Sequence, residues 1–215
     1  MEGQKLAHGA LSEEELLPMV MEVFGREITS HELGEITSNL ALKLRPYSLD
    51  IKKAMYDNGK TYYGLINTVG KGSDDLTKLS NTYKPWEIVL FRKAIEQIVE
   101  SEDGELDSRD FLNLREGNTI VEVRALLQRL YDEKWFAPSI FNDDQATLGP
   151  RVFLELVVFL RELGIHQCTI CSSDVLQGVR CPTPSCITRT HESCLAKYER
   201  KGRKYNCSAC RKSLR

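Results

Sequence analysis

All seven cysteines of this 215-residue chain lie in its last fifty positions. Read as ligands, with one histidine added, they form four pairs: Cys168/Cys171, Cys181/Cys186, His191/Cys194 and Cys207/Cys210. Three of the pairs have two intervening residues, a spacing that lets neighbouring ligands turn around one ion. The Cys181/Cys186 pair has four, longer but workable. Eight ligands are enough for two closed tetrahedral Zn²⁺ sites, with every cysteine used. Spacing alone leaves open whether the two sites are consecutive or interleaved. An odd number of cysteines cannot pair completely as disulfides, and in a reducing compartment thiols stay free for metal.

A closed four-ligand site cannot hold an activated water, so hydrolytic metal catalysis is not expected. No Gly-rich phosphate loop, helical His-Glu-x-x-His or nucleophile elbow occurs in the chain. His8 and His31 stand alone, without a nearby cysteine. His166 is close to Cys168, but eight ligands are already supplied. Any catalytic role is therefore expected to act through binding another protein.

The net charge of −2 conceals an asymmetry. Residues 166–215 carry ten Lys/Arg against three Asp/Glu, while residues 1–165 carry nineteen against twenty-eight. Seven thiolates and two dications would leave the tail near +4. A basic tail suits an acidic partner or nucleic acid, and equally a solvated surface. The amino terminus has no apolar run resembling a signal peptide, and the longest strictly apolar run is Leu156–Leu160. A membrane helix needs roughly 20 such residues, so the expectation is a soluble, intracellular protein with no membrane partner.

The elements that must position the cluster read as mostly α with small β hairpins. Ser12 with Glu15 forms a capping box opening a helix to about Phe24, with Pro18 inside it. Thr29 or Ser30 starts a second helix carrying Leu33, Ile36, Leu40 and Leu44 on one face, ended by Pro46. Asn58-Gly59, between two extended runs, predicts a tight hairpin turn. Residues 70–81 read as a loop. Pro85 opens a helix with a broad stripe of Trp86, Leu90, Phe91, Ala94, Ile95 and Ile98, expected to pack between two units. The second unit repeats the plan. Asp107 or Ser108 caps a short helix, and Thr119 with Glu122 caps another bearing Ile120, Val123, Leu127 and Leu130. A hairpin around Asn142-Asp143 follows. A last helix, about Pro150 to Leu163, carries Phe153, Leu156, Val157 and Leu160 and closes with Gly164.

Two helices followed by a hairpin is the plan of a winged helix, so two tandem winged-helix units are expected: residues 1–100 and 101–165, then a zinc finger over 166–215. The winged-helix fold often binds nucleic acid and often only protein. The −9 charge of residues 1–165 argues for protein, because phosphate affinity comes from Lys/Arg.

Four Cys, one His and three Cys in this order resembles the variant RING finger, and nearly the PHD finger. Both interleave their ligands in a cross-brace. That resemblance implies Cys168, Cys171, His191 and Cys194 around one zinc, and Cys181, Cys186, Cys207 and Cys210 around the other. Beyond the finger, "LFRKAIEQIVESEDG" (Leu90–Gly104), "CTIC" and the order hairpin, long helix, second unit, finger resemble the non-SMC element 1 family over roughly residues 15–215. Its members are subunits of the Smc five–six complex, which maintains chromosomes and supports recombinational DNA repair in the nucleus. The resemblance implies two winged helices binding a MAGE-type partner, and a finger acting as a partner-enhanced ubiquitin ligase.

By resemblance to RING ligases, Ile170, inside the first pair, contacts the ubiquitin-conjugating enzyme, and Arg211, just after the last ligand, contacts ubiquitin. Such a ligase forms no covalent intermediate; it holds thioester and attacking lysine in productive geometry. The chain departs from the RING pattern at Ser208, where Pro is frequent, and in its long Cys181–Cys186 gap. Tyr205 stands where PHD fingers usually carry an aromatic residue, typically Trp. A PHD-like histone-tail reader and a purely architectural subunit are therefore the alternatives.

Overall fold

The computed structural model describes residues 9–68, 75–200, 202 and 204–214. His8 lies outside them.

A short strand, β1 (Leu11–Ser12), leads directly into α1 (Glu13–Phe24). The Ser12 hydroxyl accepts from the Glu15 amide at 3.2 Å while the Glu15 carboxylate accepts from the Ser12 amide at 2.7 Å, closing the capping box. Pro18 does not break the helix. It is the sixth helical residue, so its missing N–H forfeits only a bond in the second turn. Thr29 and Glu32 close the same box at the start of α2 (Ser30–Leu44).

The face buried by α2 differs from the expected stripe. Leu33 and Ala41 are buried, whereas Leu40 is 45% exposed. At about 100° per residue the buried edge is centred nearer Thr37 than the Leu33–Leu40 line. Only a narrow strip of α2 meets the sheet beside it.

The hairpin β2 (Leu49–Met55) and β3 (Thr61–Asn67) forms at Asn58-Gly59, with β1 on the other edge of β3 (order β1-β3-β2). Its turn is a three-residue loop rather than a two-residue one: the Gly59 amide donates to the Tyr56 carbonyl (2.8 Å), the Tyr56 amide to the Lys60 carbonyl (3.0 Å), and Gly59 has φ +79°. Glycine supplies that left-handed angle without a side-chain penalty. Within the expected loop 70–81, residues 70–74 lie outside the described residues, and Asp75–Asn81 is a 3-10 helix that anchors Leu76 and Leu79 in the core.

α3 (Pro85–Glu100) buries Leu90, Phe91, Ala94, Ile95 and Ile98, with Trp86 partly covered. Its stripe shares one core with the Tyr56 ring of the first hairpin and with the second unit. That unit consists of α4 (Ser108–Asn113), α5 (Ile120–Asp132) and the hairpin β4 (Phe136–Pro138)/β5 (Ala146–Leu148). On α5 the buried residues are Val123, Leu126 and Leu130. Ile120, at the first helical position, is exposed and Leu127 half-buried.

The expected last helix is two: α6 (Pro150–Glu155) and α7 (Val157–Glu162), meeting at Leu156, whose φ −111° and ψ 22° leave the helical well. Leu156 is nevertheless buried and keeps its backbone bond to Val152, so the two segments bend around the core rather than separate. Gly164 (φ +83°) then turns the chain into the finger. No helix among the described residues is long and apolar enough to cross a membrane.

The finger comprises β6 (His166–Gln167) paired with β7 (Asp174–Val175), β8 (Val179–Arg180) paired with β9 (Arg189–Thr190), and α8 (Glu192–Glu199). It is fastened to the body. Leu176 joins the main core, and fully buried Gln177 donates to the Asp103 carbonyl (3.0 Å) and Ser139 Oγ (2.7 Å) while accepting from the Ile140 amide (3.0 Å). Arg180 pairs with Glu102 and Asp103, and Arg161 clasps Asp174 through two bonds of 3.1 and 3.0 Å. Some of the basic charge of the finger is thus met by acidic groups of the helical body.

Candidate metal centre

The first and third ligand pairs converge: Cys168, Cys171, His191 and Cys194 place their ligand atoms within 4.8 Å of one another. So do Cys181, Cys186, Cys207 and Cys210, from the second and fourth pairs. The grouping is the interleaved one.

Both Cys-x-x-Cys turns use the same local device. The Cys168 carbonyl accepts from the Ser172 amide at 2.8 Å, and the Cys207 carbonyl from the Arg211 amide at 3.0 Å. In each, the residue after the second cysteine is left-handed: Ser172 at φ +61°, Arg211 at φ +65°. This curls the backbone so that both sulfurs face inward. The longer second pair closes differently, with the Cys186 amide donating to the Thr183 carbonyl (3.0 Å) and Ser185 at φ +64°.

His191 is the N-cap of α8, which places Cys194 one turn further along the same side. Its Nδ1 lies 3.4 Å from the Cys171 sulfur and 3.9 Å from that of Cys194. In the second cluster Cys181 and Cys210 have sulfurs 3.2 Å apart, and Cys186 and Cys207 3.6 Å. Four thiolates around tetrahedral zinc at about 2.3 Å sit roughly 3.8 Å from each other, whereas a disulfide needs about 2.05 Å. All seven cysteines are free thiols. The donor sets, three sulfurs plus one nitrogen and four sulfurs, fit two Zn²⁺ ions, which would be held by these eight side chains and would brace the loops.

The electrostatics prepare each cluster to lose protons. Burial raises the Cys168 thiol, but the hydrogen bond from His191 and neighbouring amides bring it down to about 6. The Thr188 hydroxyl and two amides hold Cys207 near 6. Burial drives Cys194 up to about 12; Cys181, although the Thr183 hydroxyl pulls it down, is carried up to about 11 by burial and by Cys210 and Cys186. The lowered thiols, Cys168 in the first cluster and Cys207 and Cys210 in the second, give an incoming cation its first contact.

Sequence reasoning missed Asp57, in the turn of the first hairpin. It is buried, accepting from the Gln177 amide (2.9 Å) and the Leu176 amide (3.3 Å), and its Oδ1 lies 3.6 Å from His191 Nε2. Burial pushes its carboxyl up to about 6 despite these donors. The local signal, Asp before Asn-Gly, reads only as turn chemistry. Its partners lie about 120 residues away.

Ile170 is half-buried and, like Met55 and Cys171, packs against the small cluster of Cys168, Val175 and Cys194. Arg211 is exposed at the end of the last turn. Ile187, 76% exposed, is the more prominent apolar side chain on the finger. Tyr205 meets Tyr198 edge-on at 5.1 Å and donates to Thr169 Oγ1 at 2.8 Å, linking the two ends of the finger. Exposed His31 lies 4.0 Å from Glu35, and His166 is half-buried in β6; neither joins a cluster.

Residues 5–110 match the family described as Nse1 non-SMC component of the SMC5-6 complex, and residues 168–210 match the RING-like domain. Non-structural maintenance of chromosomes element 1 homolog from Rattus norvegicus is 31% identical over 95% of this chain and 79% of its own length. This chain belongs to the Nse1 family. The human homolog is 30% identical over the same shares. Among solved structures, a chain of an Nse1-Nse3-Nse4 complex superposes with a TM-score of 0.75 at 27% identity, over 97% of this chain and 92% of that one.

Proposed function

We propose that this chain is a RING-type ubiquitin ligase subunit of the Smc five–six complex. It works in the nucleus in DNA repair and recombination, and binds a MAGE-type partner through its two helix–helix–hairpin units. The observation that carries the reading is the interleaved pair of metal-ligand clusters in a RING-like finger, seated on a helical body of the Nse1 family. Two zinc ions in those clusters are coordinatively closed, so they serve architecture. Transfer then depends on positioning: the finger holds the conjugating enzyme and ubiquitin so that a lysine meets the thioester. The Nse1-Nse3-Nse4 assembly of the structural neighbour supports a subunit role with such partners.

Ile170 is proposed as a conjugating-enzyme contact through its uncovered side, and Arg211 as the ubiquitin contact. Arg211→Ala isolates the side chain, because alanine at φ +65° carries a backbone cost similar to that of arginine. In lysine-discharge assays of the chain with its partner subunit, Arg211→Ala should slow discharge on the order of tenfold, the worth of one charge-assisted hydrogen bond. Ile170→Ala should weaken enzyme binding, and both variants should retain two ions. No discharge with a broad panel of conjugating enzymes would favour an architectural or histone-reading role. Discharge indifferent to both substitutions would keep the ligase and discard these residues.

The acidic body predicts the partner class. The full chain should co-purify with a MAGE-type subunit and bind duplex DNA weakly, with a shallow dependence on salt. A steep salt slope would show many phosphate contacts and overturn the protein-binding reading.

A further inference from the structure

We propose that Asp57 is an outer-sphere partner of the first metal site: it fixes His191 as an Nδ1 ligand and ties that site to the hairpin of the first unit. The inference rests on metal filling the first cluster.

Nδ1 of His191 faces the cluster sulfurs, so a metal there takes its lone pair and the single proton of the neutral ring must sit on Nε2. That nitrogen is fully buried and has no hydrogen-bond partner. A buried N–H left unmet is unfavourable, and native structures seldom leave one. The Asp57 carboxylate stands 3.6 Å away, itself 2% exposed and steadied by the Leu176 and Gln177 amides. A closing movement of about 0.5 Å brings the pair within hydrogen-bond range. Carboxylate–histidine–metal chains of this kind set the tautomer and aim the ring.

The rest of the hairpin tip points the same way. Met55 Sδ lies 3.7 Å from the Cys194 sulfur. Gly59 approaches Ser193 so closely that a Cβ there would fall 2.5 Å from the serine Cβ. Positions 55, 57 and 59 thus meet Cys194, His191 and Ser193, the third ligand pair and one of the two residues between them. Arg189 donates to the Leu176 carbonyl, one residue before the Gln177 amide that Asp57 holds. The second cluster has no such contact among the described residues, so the two sites are expected to respond differently.

Chelator-driven zinc release from the full chain should separate into two phases, assigned with Cys207→Ser, which lacks the second site. Asp57→Ala should speed release from the first site about 10- to 100-fold, the usual cost of losing an outer-sphere partner, and leave the second unchanged. Asp57→Asn, which keeps an acceptor of the same shape, should recover much of the loss. Nitrogen-15 spectra of His191 in the zinc-loaded wild type should show a protonated, hydrogen-bonded Nε2. Unchanged release in Asp57→Ala, or equal acceleration at both sites, would overturn the proposal, the latter because it signals general loosening. Should the alanine variant not fold, the asparagine variant and the wild-type spectrum decide it: Nε2 as the ligating nitrogen would overturn it outright. Wild type binding no metal would instead overturn the zinc reading itself.

Discussion

Cys207→Ser is expected to remove one of two bound ions and to disorder the distal half of the finger, while the helical body stays folded. Cys207 is fully buried in a small cluster with Cys181, Leu195 and Leu214, and few other apolar groups support it. A core of that size cannot hold its loops without metal, and structural zinc supplies on the order of 10 kcal/mol to such domains. The proximal half differs. Its Val175, Leu176 and Gln177 are buried against the body or bonded to it, so the first site should survive. Amide exchange should show lost protection in residues 204–214 and around Cys181–Cys186, with α3 and α5 unchanged. Collapse of protection throughout the chain would show that the second site supports far more than its own loops.

Trp135→Ala should be the most damaging single change in the helical body. The indole is fully buried, edge-on to Phe91 at 5.5 Å, covered by the Arg151 guanidinium at 4.1 Å, and donates to Glu133 at 3.3 Å. Truncation leaves a large cavity and removes one donor from Glu133, which keeps Tyr83, Arg129 and Arg151; the cavity alone costs about 3–5 kcal/mol. For a chain of this size that lowers the thermal midpoint by roughly 6–20 °C. Because the core around Trp135 runs from Tyr56 to Leu176, one transition should carry the tip of the first hairpin, the second unit and the proximal finger, while Ile28, Leu33 and Tyr63 form a separate small core with α1 and α2. Phe141→Ala, at a half-exposed loop ring, should move stability by no more than about 0.5 kcal/mol. A Trp135→Ala chain in which the second unit and the proximal finger melt in separate steps would contradict the shared core.

What was legible in the sequence is what local chemistry decides. The boxes Ser12/Glu15 and Thr119/Glu122 each span three residues, and each formed; Thr29, one of two candidate starts for the second helix, is its cap. The eight ligands were readable because Cys and His at short spacing have few other uses in a reduced chain. Features set by contacts distant in sequence were not. Leu40 fits the apolar stripe of α2, yet packing selects Ala41. The bend at Leu156 lies inside an unbroken helical pattern, because the core it wraps is assembled from Tyr56, Phe91 and Leu160. Asp57 reads as a turn residue. Its burial follows only once the hairpin tip meets the finger.

The most direct test is a metal count on the folded chain by native mass spectrometry. Two Zn²⁺ per wild-type chain, falling to one in Cys207→Ser, is the predicted result, because the eight side chains gather as two separate four-ligand clusters. One ion in the wild type, or two retained after Cys207→Ser, would contradict the interleaved two-site finger on which the proposed ligase function rests.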